Sequence, residues 1–143
     1  MSPMAAALLL LVLVIASITD LRARIVPNPL TLAAAVSGLA LAATGGPVAL
    51  ALALLTGLAL ASPLLLVSLA RPEGMGMGDV KLVAVLGIFL GWQAWPALLT
   101  GLMLAGLTGL VISLVTRRRP SGVALPLAPF LAAGTVPVVA LAL

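Results

Sequence analysis

The sequence predicts an all-α fold: a polytopic membrane helical bundle of six transmembrane helices, with the N- and C-termini both outside. Three observations carry this expectation. Of 143 residues, 64% are hydrophobic and 7% charged, where soluble domains carry roughly 25% charge. With a mean hydropathy of +1.38, lipid must solvate most of the chain. The apolar residues fall into six segments parted by turn-forming or charged residues, and every charged residue lies in the first, third or fifth connection.

The first segment runs roughly from Met4 to Thr19. It lacks a basic stretch ahead of it, and its basic residues come after the apolar run. It therefore reads as a retained anchor with its N-terminus outside, not as a cleaved signal peptide. Asp20, Arg22 and Arg24 follow it. Pro27, Asn28 and Pro29 then end one helix and start the next, which extends to Ala43. The uncharged turn Gly45-Gly46-Pro47 leads into a third segment, Pro47 to Ala70.

Arg71, Glu73, Asp79 and Lys81 occupy the next connection, and the fourth segment spans Val80 to Trp95. A second uncharged turn, at Trp95-Pro96, precedes the fifth segment, Pro96 to Thr116. Arg117, Arg118 and Arg119 come next, and the sixth segment covers Val123 to Leu143. A helix needs about 20 residues to cross the hydrocarbon core, so the first, second and fourth segments must borrow flanking residues. No period-2 alternation supports a β-barrel, and frequent Gly and Ala suit close helix packing in lipid.

Odd-numbered connections all emerge on one face. Basic residues are retained in the cytoplasm, so that face is cytoplasmic. Trp92 and Trp95 then fall at the outer interface, where indole rings prefer to lie. No polar stretch is long enough to fold alone, so residues 1–143 read as a single transmembrane domain.

Composition also limits the chemistry. There is no Cys and no His, which removes disulfides, thiol nucleophiles, Cys/His zinc sites and histidine bases. No metal or cofactor is expected. The net charge is +4 and the pI about 11.7, but the basic residues form no patch that tracks phosphates. The expected partner is the lipid bilayer, and nucleic acid is not expected.

Asp20 ends the first span and Asp79 opens the fourth, both at the cytoplasmic edge. An ionised carboxylate there is costly unless paired, hydrated or protonated. If the two converge, they cannot both ionise easily and share a proton. One then activates a water while the other protonates a leaving amide. The plainer reading of a lone interfacial Asp is a helix-end cap, which suits Asp79 ahead of an apolar run. Gly74, Gly76 and Gly78 form a strip beside Asp79 where another backbone can approach; the plainer reading is a hinge.

Two stretches resemble motifs of the type IV prepilin peptidase family. The first is Asp20 with a spacer to Pro27-Asn28 and Leu30-Thr31. The second is Gly76-Met77-Gly78-Asp79 with Lys81-Leu82, Gly87 and Gly91-Trp92. A third match is Pro126 to Ala132, where the family usually has Phe-Gly at the position of Leu127-Ala128. The plan is similar also to archaeal preflagellin peptidases.

The resemblance implies a membrane aspartic endopeptidase that removes short basic leaders from prepilin or pseudopilin precursors. It implies Asp20 and Asp79 as the catalytic pair, with Gly76, Gly78, Lys81, Pro27 and Asn28 as support around them. It also implies the inner or cytoplasmic membrane as location, with the active site at the cytoplasmic face. Long members carry a cysteine-bearing methyltransferase domain, and this chain is expected to be the peptidase-only form. Glu73 reads as a solvated loop charge or as a partner for the basic leader. The competing function is a small ion- or proton-coupled carrier using the same two aspartates. Carriers, however, place such groups near the midplane, often in repeated halves.

Overall fold

In lipid every backbone polar group must be satisfied internally, so a chain of this composition can cross a bilayer only as helices or as a closed barrel. The computed structural model describes residues 1–70, 76–116 and 125–143, and these form helices and no strand. In chain order they are α1 (Pro3–Ala23), α2 (Asn28–Thr44), α3 (Pro47–Ala70), α4 (Met77–Leu90), α5 (Ala94–Thr116) and α6 (Ala128–Ala142). A short 3-10 turn, Gly91–Gln93, joins α4 to α5. Arg71, Glu73, Gly74 and Arg117, Arg118 and Arg119 lie outside the described residues.

Three stretches are long and apolar enough to cross a membrane: Pro3–Ala23, Pro47–Ala70 and Met77–Thr116, the last holding α4, the turn and α5. α2 and α6 are shorter apolar helices of 17 and 15 residues. Large apolar side chains such as Met103, Val115 and Leu141 stand fully outward, as suits a surface wetted by lipid. The chain is a multi-pass membrane protein.

Two boundaries differ from expectation. The sequence predicts a fourth segment reaching Trp95, but α4 stops at Leu90 and α5 already begins at Ala94. Gly91 adopts φ +58°, a left-handed conformation that glycine reaches at no steric cost, and this breaks the helix early. Pro96 then sits in the first turn of α5, where no intrahelical N–H is required. The sequence predicts a sixth segment from Val123, which lies outside the described residues, and α6 begins at Ala128, where Pro126 and Pro129 bracket the start.

Without a hydrophobic drive between helices in lipid, association relies on close van der Waals packing. α4 packs on α3 and α2, while α6 packs on α5 and α1. Gly87 of α4 lies so close to α3 that a Cβ there would sit 2.7 Å from the Gly57 Cα and the Thr56 carbonyl. Gly134 of α6 is equally tight against Ala97 and Thr100 of α5. Thr56 ties the first contact by donating from Oγ1 to the Gly87 carbonyl at 2.8 Å.

Two bonds set the direction of α6 against α1. The Met1 amine donates to the Ala142 carbonyl at one end of the bundle. The Ala128 N–H donates to Asp20 at the other. The helices are therefore antiparallel. α2 and α4 run parallel, since Asn28 meets Lys81 near their starts and Gly38 meets Phe89 near their ends.

Candidate active site

α1 ends when Arg24 takes up φ 52°, ψ 36° and donates its N–H to the Asp20 carbonyl. A left-handed residue at this position is usually glycine, and a non-glycine residue held there is strained. After the reversal Ile25 is exposed, while Val26 is buried beside Gly78. Pro27, in an extended conformation with ψ 130°, then delivers Asn28 as the first residue of α2.

Asp20 lies in the last turn of α1 and is 6% exposed. Its Oδ2 accepts the Ala128 N–H at 3.0 Å. A carboxylate this deeply covered needs such a partner, since burying it unpaired is costly. Asp79 lies in the first turn of α4 and is half-buried. Its own N–H donates to the Gly76 carbonyl at 3.1 Å, forming the turn that opens the helix.

Both aspartates line one cavity of about 300 Å³, together with Arg24, Ile25, Val26, Asn28, Gly76 and Gly78. The cavity is open on one side and has room for several waters or one extended backbone segment. Two segments far apart in the chain thus put their carboxylates on the same space. General acid–base hydrolysis of an amide needs an acid and a base that reach one shared, water-accessible space.

The supporting residues separate into three groups. Gly76, Gly78 and Asn28 line the cavity. A Cβ on Gly78 would stand 3.0 Å from the Val26 Cβ, so the missing side chain lets the first stretch close over the second. Lys81 is exposed and does not line the cavity. Its Nζ donates to Asn28 Oδ1 at 2.8 Å, tying the start of α4 to the start of α2. Pro27 shapes the entry into α2 without lining the cavity.

The sequence gives Arg24 no place in the site beyond its charge, and Ala128 none beyond the third motif-like stretch, yet Arg24 lines the cavity and the Ala128 N–H meets Asp20. The Pro126–Pro129 bracket was the available signal for Ala128, because it fixes where a helix start exposes free N–H groups. Nothing comparable marks Arg24, whose backbone sign is invisible in its identity. Among the described residues, no three acidic, His or Cys side chains gather as a metal site.

Residues 7–114 match the model of the type IV leader peptidase family. The prepilin leader peptidase/N-methyltransferase of Pectobacterium carotovorum subsp. carotovorum is 37% identical over 139 residues, covering 92% of this chain and 49% of that protein. Its namesake from Aeromonas hydrophila is 38% identical over 139 residues, 90% of this chain and 46% of the relative. The Pseudomonas putida protein of the same name is 46% identical over 61 residues, 42% and 21% of the two chains. The chain spans about half the length of the curated relatives it matches over most of its own length. No solved structure matches it. With that match over most of its helices, the chain belongs to the type IV leader peptidase family.

Proposed function

We propose that this chain is an aspartic endopeptidase of the cell membrane that cuts the short basic leader from prepilin-like precursors at the cytoplasmic face. The observation that carries the reading is the convergence of Asp20 and Asp79 on one cavity. Family membership and the names of the relatives supply the substrate class.

The chemistry needs one carboxylate and one carboxylic acid. The carboxylate takes a proton from a water in the cavity. The resulting hydroxide oxygen bonds to the scissile carbonyl carbon, giving a tetrahedral intermediate. The protonated partner then passes its proton to the amide nitrogen, and the C–N bond breaks. Afterwards the pair again holds one proton, now on the other member. Two carboxyl groups that line one cavity and share a single proton suit both roles.

The orientation follows from charge. Arg22, Arg24 and Lys81 cluster at the end that bears the aspartates, and basic residues are retained on the cytoplasmic side. With six crossings, both termini lie outside. A precursor's apolar helix stays in the bilayer while its leader remains in the cytoplasm, within reach of the cavity.

Asp20→Asn and Asp79→Asn, assayed in membranes holding a prepilin-like precursor, test this. Neither variant should release leader at a measurable rate. Wild-type cleavage by either one sinks the dyad.

A further inference from the structure

We infer that the first turn of α6 is part of the catalytic apparatus: the Ala128 main-chain N–H orients the Asp20 carboxylate, making Ala128 a positioning residue. This rests on the reading of Asp20 as catalytic. The match to the family model ends at residue 114, before α6 begins.

The local sequence explains why this N–H is available. A helix start leaves several N–H groups without intrahelical partners. Pro129, the second residue of α6, has none to offer. The N–H groups of Phe130 and Leu131 are both bonded to the Leu127 carbonyl, at 3.1 and 3.0 Å. The Ala128 N–H is thus the donor of the first turn directed away from its own helix, and it meets Asp20 Oδ2 at 3.0 Å.

Both partners are enclosed. Ala128 is 0% exposed and Asp20 6%. A bond between two covered groups holds its geometry, where an exposed one would exchange with water. With Oδ2 so fixed, Oδ1 is the oxygen left to face the cavity. Arg24 and Asp79 are the other charged groups lining that space, and neither replaces a donor fixed behind the carboxylate.

Because the contribution is a main-chain N–H, it does not depend on the side chain at 128. Any residue but proline can donate there.

The test uses the full chain in nanodiscs with a prepilin-like precursor. Ala128→Pro removes the N–H and should lower kcat roughly 100-fold with KM within about threefold, as expected for a misplaced reacting group. Ala128→Gly keeps the N–H and should lose no more than about threefold. Cleavage by Ala128→Pro at the wild-type rate, while Asp20→Asn is inactive, overturns the inference and leaves the dyad standing. Equal loss in the Gly and Pro variants also overturns it, since the methyl group and not the N–H would then be what counts.

Proline at 128 also disfavours the helical conformation of Leu127, so a readout independent of that variant is needed. The Ala128 amide proton resonance of labelled wild-type protein should lie downfield and move upfield in Asp20→Ala. An unmoved resonance refutes the contact whatever the kinetics show.

Discussion

At its N-terminal end α4 presents Gly76, Gly78 and Asp79 to a cavity, with Lys81 bonded across to Asn28. At its C-terminal end Gly87 presses on the α3 backbone with no room for a methyl group. The same small residue serves two ends. Near the aspartate it leaves space next to a reacting group and lets Val26 fold over. Near Leu90 it lets two backbones touch, where association depends on packing alone. The difference teaches that one helix can carry chemistry and stability in separate turns. Changes at one end should then move activity, and changes at the other should move stability.

The largest effect belongs to the chemical end. Asp79→Asn should lower leader cleavage by at least roughly 10³-fold, since a positioned acid or base is worth about 10²–10⁴ and here both roles fall to the pair. Its unfolding temperature in detergent should stay near wild type. Asp20→Asn should behave alike, because an asparagine carbonyl can still accept the Ala128 N–H. Unfolding of either variant under conditions where the wild type is intact would show that the carboxylates hold the bundle together, and the division along α4 would fail.

Gly87→Val probes the packing end. Its Cβ would fall 2.7 Å from both Gly57 Cα and the Thr56 carbonyl. These are backbone atoms and cannot swing aside, so α3 and α4 must part. A cost of about 1–3 kcal/mol is expected for such overpacking, read as a lower unfolding temperature in nanodiscs. Below that temperature the surviving folded protein should cleave within about threefold of wild type. Full stability with lost cleavage would show that the α3–α4 contact transmits to the cavity.

A third, smaller effect separates the two glycines beside the aspartate. Gly78→Ala sets a Cβ 3.0 Å from the Val26 Cβ, so Val26 must give by a few tenths of an ångström. Gly76→Ala sets one 3.7 Å from Asp79 Oδ2, which is ordinary contact. Misplacement by about 1 Å can cost 10² in rate, so Gly78→Ala should lose about tenfold in kcat/KM and Gly76→Ala clearly less. The reverse order would mean that the first stretch does not need to close over the second.

Much of this was legible in the sequence because it depends on residue type alone. Helix positions follow from apolar runs ended by Gly, Pro and charge, and α3 matches its expected span at both ends. Asp20 and Asp79 stand out because carboxylates are rare beside lipid. What stayed hidden depends on backbone conformation or on pairing across the chain. The early stop of α4 needs the φ of Gly91. The reversal at Arg24 uses a conformation its side chain does not advertise. The Lys81–Asn28 bond joins two residues whose partners cannot be inferred from either stretch.

That bond gives the smallest expected effect and the closest check on how far the chemical end of α4 extends. Lys81 and Asn28 are both exposed, so water and headgroups compete for their polar atoms, and exposed charged contacts are individually weak. Yet the bond links the two segments that carry the cavity's glycines and its Val26 cover. Lys81→Met and Asn28→Ala should each lower kcat/KM by only about threefold. Because they remove the same tie, the double variant should be no worse than either single one, the non-additivity expected of residues in contact. Lys81→Arg, which can still donate to Asn28 Oδ1, should stay within about twofold. Losses that multiply in the double variant would mean that Lys81 and Asn28 act separately. The start of α4 would then be held by its own first turn and not by α2.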